Sequence, residues 1–231
     1  MRVADRRWIF EQVGIDPEAE AVGDTQIDHL LQLLGDPDRF VRRAAALALG
    51  ELRADRAVPG LIETLKDNAT IWEAAGDAAW ALGQIGDADA VPPLIAALQQ
   101  PYVAGPALAA LAKLQDTRAV QPLIDYLERT GDPGAATVLG NLGDRRAVDS
   151  LIRALRHPQP STRFYAARAL GKLADPRALP ALEWLHAHDP TRQPVKTWRG
   201  KSVGDAAGIA IERICGRQLS DVEPQQGRPN R

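Results

Sequence analysis

Residues 41–65 read VRRAAALALGELRADRAVPGLIETL, and the same pattern returns four more times along the chain. It is an Ala/Leu-rich run closing on Leu-Gly, a short polar turn with an aspartate, then Ala-Val-Pro, Leu-Ile and a last Leu. The copies run from Ala81-Leu82-Gly83 to Leu98, from Ala110-Leu111-Ala112 to Leu127, from Val138-Leu139-Gly140 to Leu155, and from Ala169-Leu170-Gly171 to Leu185. Their anchors Gly50, Gly83, Ala112, Gly140 and Gly171 are 33, 29, 28 and 31 residues apart. Self-similarity at this period marks an array of supersecondary units, none of which can bury its own apolar face without its neighbours.

Each copy reads as two helices. Val41, Ala44, Ala45, Ala48 and Leu49 recur at spacings of three and four, which places them on one face of the first helix. Val58, Leu61, Ile62 and Leu65 do the same in the second, and Pro59 is tolerated in its first turn, where an N–H has no intrahelical partner. Gly50 and its counterparts are expected to let the next helix approach and to form a C-terminal turn. Asp55, Asp87, Asp116, Asp144 and Asp175 are expected to cap the helix that follows each turn. The alanines permit close contact but bury little area each, so stability must come from stacking.

These features resemble HEAT repeats, in particular the short subclass associated with phycobilisome lyases. The likeness rests on Val41-Arg42, Ala44-Ala45, Ala48-Leu49-Gly50, Ala57-Val58-Pro59, Leu61-Ile62 and Leu65 and their counterparts, and covers residues 25–215. It implies an all-α fold, a right-handed α-α superhelix (solenoid) of about five to six short HEAT-like repeats. It does not imply one activity, because such arrays serve as scaffolds, inhibitors, chromophore lyases and metalloenzymes.

The 231 residues need no separate globular cores if they form one array. No apolar run approaches the roughly 18 residues that span a bilayer, and MRVADRRWIFEQ carries charge throughout, unlike a signal peptide. A single cysteine, Cys215, excludes an intrachain disulfide and reads as a small buried hydrophobe. A cytoplasmic protein that contacts no membrane is the expectation.

Residues 1–23 read as a cap, a helix with Trp8, Ile9 and Val13 on one face followed by a turn. Residues 24–216 form the array, starting with a lone second helix in which Ile27, Leu30, Leu31 and Leu34 match Val58, Leu61, Ile62 and Leu65. Gly105-Pro106 predicts a shortened or kinked helix near Pro106, and Gly131-Asp132-Pro133-Gly134 a late helix start. Trp72 and Trp80, eight apart, are expected to pack on one side of their helix. After the fifth repeat, residues 187–201 form an inserted loop without apolar period. Val203, Ala206, Ala207, Ala210 and Ile211 then restore the first-helix pattern. Residues 217–231, rich in Pro, Gln and Gly, read as a flexible tail.

Charge is uneven. The net −2 of the chain divides into +8 over residues 145–201 and −10 over the remainder. Clustered basic charge steers an anionic partner toward that third. In HEAT-like arrays the second helices line the concave side, so their outward positions are expected at Glu63 and Thr64, Ala96 and Ala97, Asp125 and Tyr126, Arg153 and Ala154, and Trp184. Tyr126, Arg153, Arg156 and Trp184, with Trp198, Arg199 and Lys201 of the inserted loop, form the candidate partner-binding region. Tyr, Trp and Arg are the residue types that dominate protein interfaces.

Catalytic signatures are absent. His29, His157, His186 and His188 are the only histidines, and none precedes a glutamate, unlike the His-Glu pairs of the HEAT-repeat metalloenzyme related to deoxyhypusine hydroxylase. No metal site, no Gly-rich phosphate loop and no Ser/His/Asp spacing is recognised, so neither metal nor cofactor is expected. The first reading is therefore a HEAT scaffold that binds a protein partner through its concave face and basic C-terminal third. The alternative, implied by the resemblance, is a phycobilin lyase-like subunit acting on phycobiliproteins. A linear tetrapyrrole would then set its propionates near Arg and its rings against Tyr or Trp. Nucleic acid comes third, because the acidic remainder would repel a duplex.

Overall fold

The computed structural model describes residues 3–15, 23–66, 72–189, 191 and 201–220. Among the described residues there are thirteen α-helices and no strand. They are α1 (Val3–Gln12), α2 (Asp24–Leu33), α3 (Arg39–Glu51), α4 (Val58–Lys66), α5 (Trp72–Ile85), α6 (Val91–Ala97) and α7 (Ala104–Leu114). There follow α8 (Val120–Thr130), α9 (Pro133–Leu142), α10 (Val148–Ala154), α11 (Pro160–Leu173), α12 (Leu179–His188) and α13 (Val203–Ser220). Each helix pair is joined through a 3-10 turn: Asp55–Ala57, Ala88–Ala90, Thr117–Ala119, Arg145–Ala147 and Pro176–Ala178.

The chain forms two compact units, residues 1–122 and 123–231, with the division inside α8. In the first, α3 packs on α5 and α5 on α7, while α2, α4 and α6 cover α3, α5 and α7 respectively. In the second, α11 lies between α9 and α13, and α10 and α12 cover α11 and α13. Within each unit, first helices therefore stack on first helices, and α2, α4, α6, α10 and α12 each lie over the first helix of the next copy. The core is the set predicted from the period: Leu49, Leu61, Leu65, Leu82, Leu94 and Leu111 in the first unit and Leu123, Leu139, Leu151 and Leu155 in the second are fully buried. Burying a leucine contributes roughly 1.5–3 kcal/mol.

The glycine anchors act by closeness. A Cβ on Gly50, Gly83, Gly140 or Gly171 would lie 2.7–2.9 Å from the Cα of Ala81, Ala110, Ala169 or Ala210, so the first helices touch backbone to backbone. The C-terminal turn expected at these glycines falls three residues later. Arg53, Gly86, Gln115, Gly143 and Ala174 hold the left-handed conformation that ends α3, α5, α7, α9 and α11. Trp80 closes over Gly50, with Lys113 Nζ 5.9 Å from its ring centre.

Four of the five turn aspartates cap. Asp87, Asp116, Asp144 and Asp175 accept from the N–H two residues ahead at 2.8, 2.8, 2.9 and 3.0 Å. Asp55 does not, because the first repeat is shifted by one residue and Ala54 holds the cap position. Arg118, Arg146 and Arg177 fold back onto the capping carboxylates of Asp116, Asp144 and Asp175, and these bonds hold all three carboxyls below the ordinary aspartate range. A depressed folded-state pKa stabilises the fold above the unfolded value of about 3.9, and that contribution is lost as pH falls through the lower folded value. Asp175→Ala should cost about 1 kcal/mol in urea unfolding at pH 7. The gap from the parent protein should narrow below about pH 3.9, and a gap constant down to pH 2 would remove the carboxylate from the explanation.

Other expectations are adjusted by packing. In α1 the buried face is Ile9, Phe10 and Val13, and Trp8 is exposed. α7 starts at Ala104 with Pro106 in its first turn, a shortened helix of 11 residues. α9 starts late, at Pro133, capped by Asp132. α12 is helical through His188, so Ala187 and His188 extend the helix into the region expected to be loop. Val203, Ala206, Ala207 and Ala210 of α13 are buried on α11 and α12 as the repeat pattern requires. The Trp72 side chain and residues 221–231 lie outside the described residues.

Candidate functional site

Of the candidate residues that the structure describes, Tyr126 lies on α8, Arg153 on α10, Arg156 just past α10, Trp184 on α12 and Lys201 just ahead of α13, all in the second unit. The second helices expose only one member of each predicted pair. Glu63, Ala96, Asp125, Arg153 and Trp184 are exposed, whereas Ala97 and Tyr126 are buried and Thr64 and Ala154 half-buried. The cause is geometric: Thr64, Ala97, Tyr126 and Ala154 lie three residues after the core leucines Leu61, Leu94, Leu123 and Leu151, so they turn toward the same face. Tyr126 is 8% exposed, a correction to its expected outward position. Burial and the nearby Asp132 charge raise its phenol pKa, so the ring acts as a neutral packing element beneath Arg129, whose guanidinium lies 5.3 Å from the ring centre.

Arg153, exposed on α10, donates from Nη2 to Glu128 Oε1 on α8. That hydrogen bond holds the Glu128 carboxyl below its ordinary value. Arg156 is exposed just past the end of α10. Trp184 on α12 is 56% exposed and stacks on His188, one turn ahead, with ring centres 5.3 Å apart and planes 20° from parallel. His188 Nδ1 donates to the Trp184 carbonyl at 3.0 Å and His186 Nδ1 to the Gly204 carbonyl at 2.8 Å. These bonds fix both rings and leave each Nε2 available as an acceptor. Lys201 is exposed ahead of α13, whose start is capped reciprocally by Ser202 and Asp205. Trp198 and Arg199 lie outside the described residues.

The structure thus joins Arg153 to Glu128 and Trp184 to His188. Among the described residues, no hydrogen bond or ring contact links one pair to the other. The positive field over residues 145–201 is also reduced from its formal value. Arg146 pairs with Asp144, Arg153 with Glu128, Arg177 with Asp149 and Asp175, and Arg163 is buried against Asp189. Sequence reasoning missed that last pair and the stacking role of His188. The i,i+4 spacing of Trp184 and His188 was the available signal for the stack. Among the described residues no group of three His, Cys, Asp or Glu gathers as a metal site, and no helix is long and apolar enough to cross a membrane.

The family of HEAT repeats matches residues 16–78, 70–134 and 134–202, and the chain belongs to it. The chain is 39% identical to the phycocyanobilin lyase subunit alpha of Pseudanabaena tenuis (strain PCC 7409), over 65% of this chain and 63% of that protein. It therefore spans less than two thirds of the length of that relative. The complex of CpcE and CpcF of phycocyanin lyase from Nostoc sp. PCC7120 matches at 25% identity and a TM-score of 0.57, covering 87% of this chain and 91% of that one. An archaeal HEAT-like repeats protein from Thermococcus onnurineus NA1 shares the fold at 18% identity and a TM-score of 0.58, over 91% and 98%.

Proposed function

We propose that this chain is a subunit of a bilin-handling assembly of the phycocyanobilin lyase type, which docks a protein partner and contributes an aromatic and basic edge to chromophore binding. The 39% identity to a phycocyanobilin lyase subunit carries this reading. The likeness to a two-protein phycocyanin lyase complex supports a protein partner. The physical chemistry agrees. A linear tetrapyrrole is a conjugated, flat-ringed molecule with two propionates, and the exposed Trp184 ring, held by His188, offers a stacking face. Arg153, Arg156 and Lys201 supply cations for carboxylates on the same unit. The buried Tyr126 packs beneath Arg129 and is not part of this proposed edge.

The test is an absorbance titration with phycocyanobilin, made on the chain together with the polypeptide that copurifies from its native host. A saturable change in the visible band is expected, and Trp184→Ala should weaken it about tenfold, the scale of losing one well-placed aromatic. Absence of both a spectral change and transfer to a phycobiliprotein subunit would defeat the chromophore reading. A copurifying partner in that case would leave a plain HEAT adaptor.

A further inference from the structure

Arg153 and Arg156, at and just past the end of α10, and Trp184 and His188, at the end of α12, are joined from behind by one buried side chain. Arg163 lies near the start of α11, the helix that α10 covers. Its Nη1 donates to the carbonyls of His157 and Pro158, both at 2.9 Å, in the turn that directly follows Arg156. Its Nε and Nη2 donate to the two carboxylate oxygens of Asp189, the residue after His188, and Nη2 also reaches Thr191 Oγ1. All five guanidinium N–H groups are engaged, two toward the exit of α10 and three toward the exit of α12.

Both exits carry the candidate side chains on short, fixed supports. α6 and α10 end at Ala97 and Ala154, the counterparts of Leu185, whereas α12 runs three residues further, and that extra turn bears His188, on which Trp184 stacks. Asp189 closes the extra turn: its N–H donates to the Leu185 carbonyl at 3.0 Å, and its carboxylate is buried with Arg163. On the other side, His157 Nδ1 accepts from the Gln159 N–H at 3.2 Å, and its ring lies against Gly131, where an added Cβ would fall 2.2 Å from Nε2. Arg42, at the same place in α3, makes the two carbonyl bonds but reaches no carboxylate among the described residues. The second half of the arrangement therefore belongs to the repeat that bears Trp184.

We infer that Arg163 is a positioning residue for the candidate site, setting the spacing between the basic exit of α10 and the aromatic exit of α12. The inference rests on the reading of those exits as one bilin-binding edge. A ligand that places a carboxylate at one helix and a ring at the other is sensitive to their separation. A planar guanidinium with fixed donor directions holds that separation, as a point charge on a flexible stem does not. Two buried charges gain little net stability over apolar side chains of similar volume, so position is the larger part of what this pair supplies.

The test uses the double variant Arg163→Met/Asp189→Leu, in which neither charge is left stranded. Spin labels at Arg156→Cys and Ala187→Cys, both exposed, are placed in a Cys215→Ser background, which removes the one native thiol. The otherwise native chain should give one narrow inter-label distance, and the double variant a broad one with its helical circular dichroism retained. Arg163→Lys, which keeps the charge and loses the fork, should broaden the distance as well, and it provides the comparison if the double variant loses helicity. An equally narrow distance in the helical variants overturns the inference, whether or not the chain binds a bilin. In the phycocyanobilin titration of the chain with its copurifying polypeptide, the double variant should bind about tenfold more weakly, the lower end of the cost of losing a group that orients a ligand-binding side chain. A role in stability alone predicts instead that affinity returns with the regained stability, and native affinity in the double variant overturns the inference equally. A native chain with no bilin response whose label distance still broadens on substitution removes the bilin reading and leaves Arg163 as the spacer.

Discussion

Gly140→Ala is expected to destabilise the second unit by about 2–4 kcal/mol and to lower its melting temperature by about 5–15 °C. The added methyl would lie 2.7 Å from both the Cα and the Cβ of Ala169. No side-chain rotation relieves that clash, because its partner is backbone. The helices α9 and α11 must separate, and their shared leucines lose contact with them. The same substitution elsewhere has a different sign. At Gly105, in the first turn of α7, a Cβ would meet nothing within 4 Å, so alanine should be neutral or stabilise by about 0.5 kcal/mol through the unfolded chain. At Gly143 there is space too, but φ is +72°, and alanine should cost about 1 kcal/mol in backbone strain. Thermal unfolding of the three variants separates contact from conformation. Equal melting temperatures for Gly140→Ala and Gly105→Ala would show that the first helices are not held by backbone contact.

These three glycines illustrate what the sequence could and could not convey. The repeat was legible because its determinants are local: the three-four spacing of apolar residues, prolines confined to first turns, and small residues recurring every thirty or so positions. Gly50 and its counterparts were readable as points of close approach for the same reason. The left-handed residue that ends each first helix was not, since Arg53, Gln115 and Ala174 hold it in three of five repeats and none of them signals that conformation. Asp55 was misassigned as a cap because one residue of register moves the carboxylate past the open N–H groups. Tyr126 was misplaced as exposed because two adjacent positions of each second helix were both taken as outward, although its spacing of three from Leu123 already directed it inward. The candidate binding region was the least legible part. A surface is made by which charges find partners across repeats, and formal charge along the chain carries no record of that pairing.

The Arg163–Asp189 pair is the sharpest case, and it yields the other large expected effect. Arg163 occupies the position of Arg42, and both use Nη1 to reach the carbonyls that close the preceding turn, His157 and Pro158 in one case and Asp36 and Pro37 in the other. Arg42 does so near the surface. Arg163 is 7% exposed, and its Nε and Nη2 also donate to the two Asp189 carboxylate oxygens at 2.7 and 3.3 Å, with a further bond to Thr191 Oγ1 at 2.8 Å. Every direction of the guanidinium is thereby used. Asp189 in turn accepts from the Thr191 N–H at 2.7 Å, so one buried ion pair fixes the chain as it leaves α12. Asp189→Ala strands a buried guanidinium and Arg163→Met strands a buried carboxylate; each should cost about 3–5 kcal/mol. The double variant Arg163→Met/Asp189→Leu removes both charges and should recover most of that loss, giving a coupling of several kcal/mol. The exposed pair Arg153–Glu128, treated by the same cycle, should couple by no more than about 1 kcal/mol. Similar small couplings in both cycles would mean that water reaches Arg163 and that the exit from α12 is held by the helix itself, not by this ion pair.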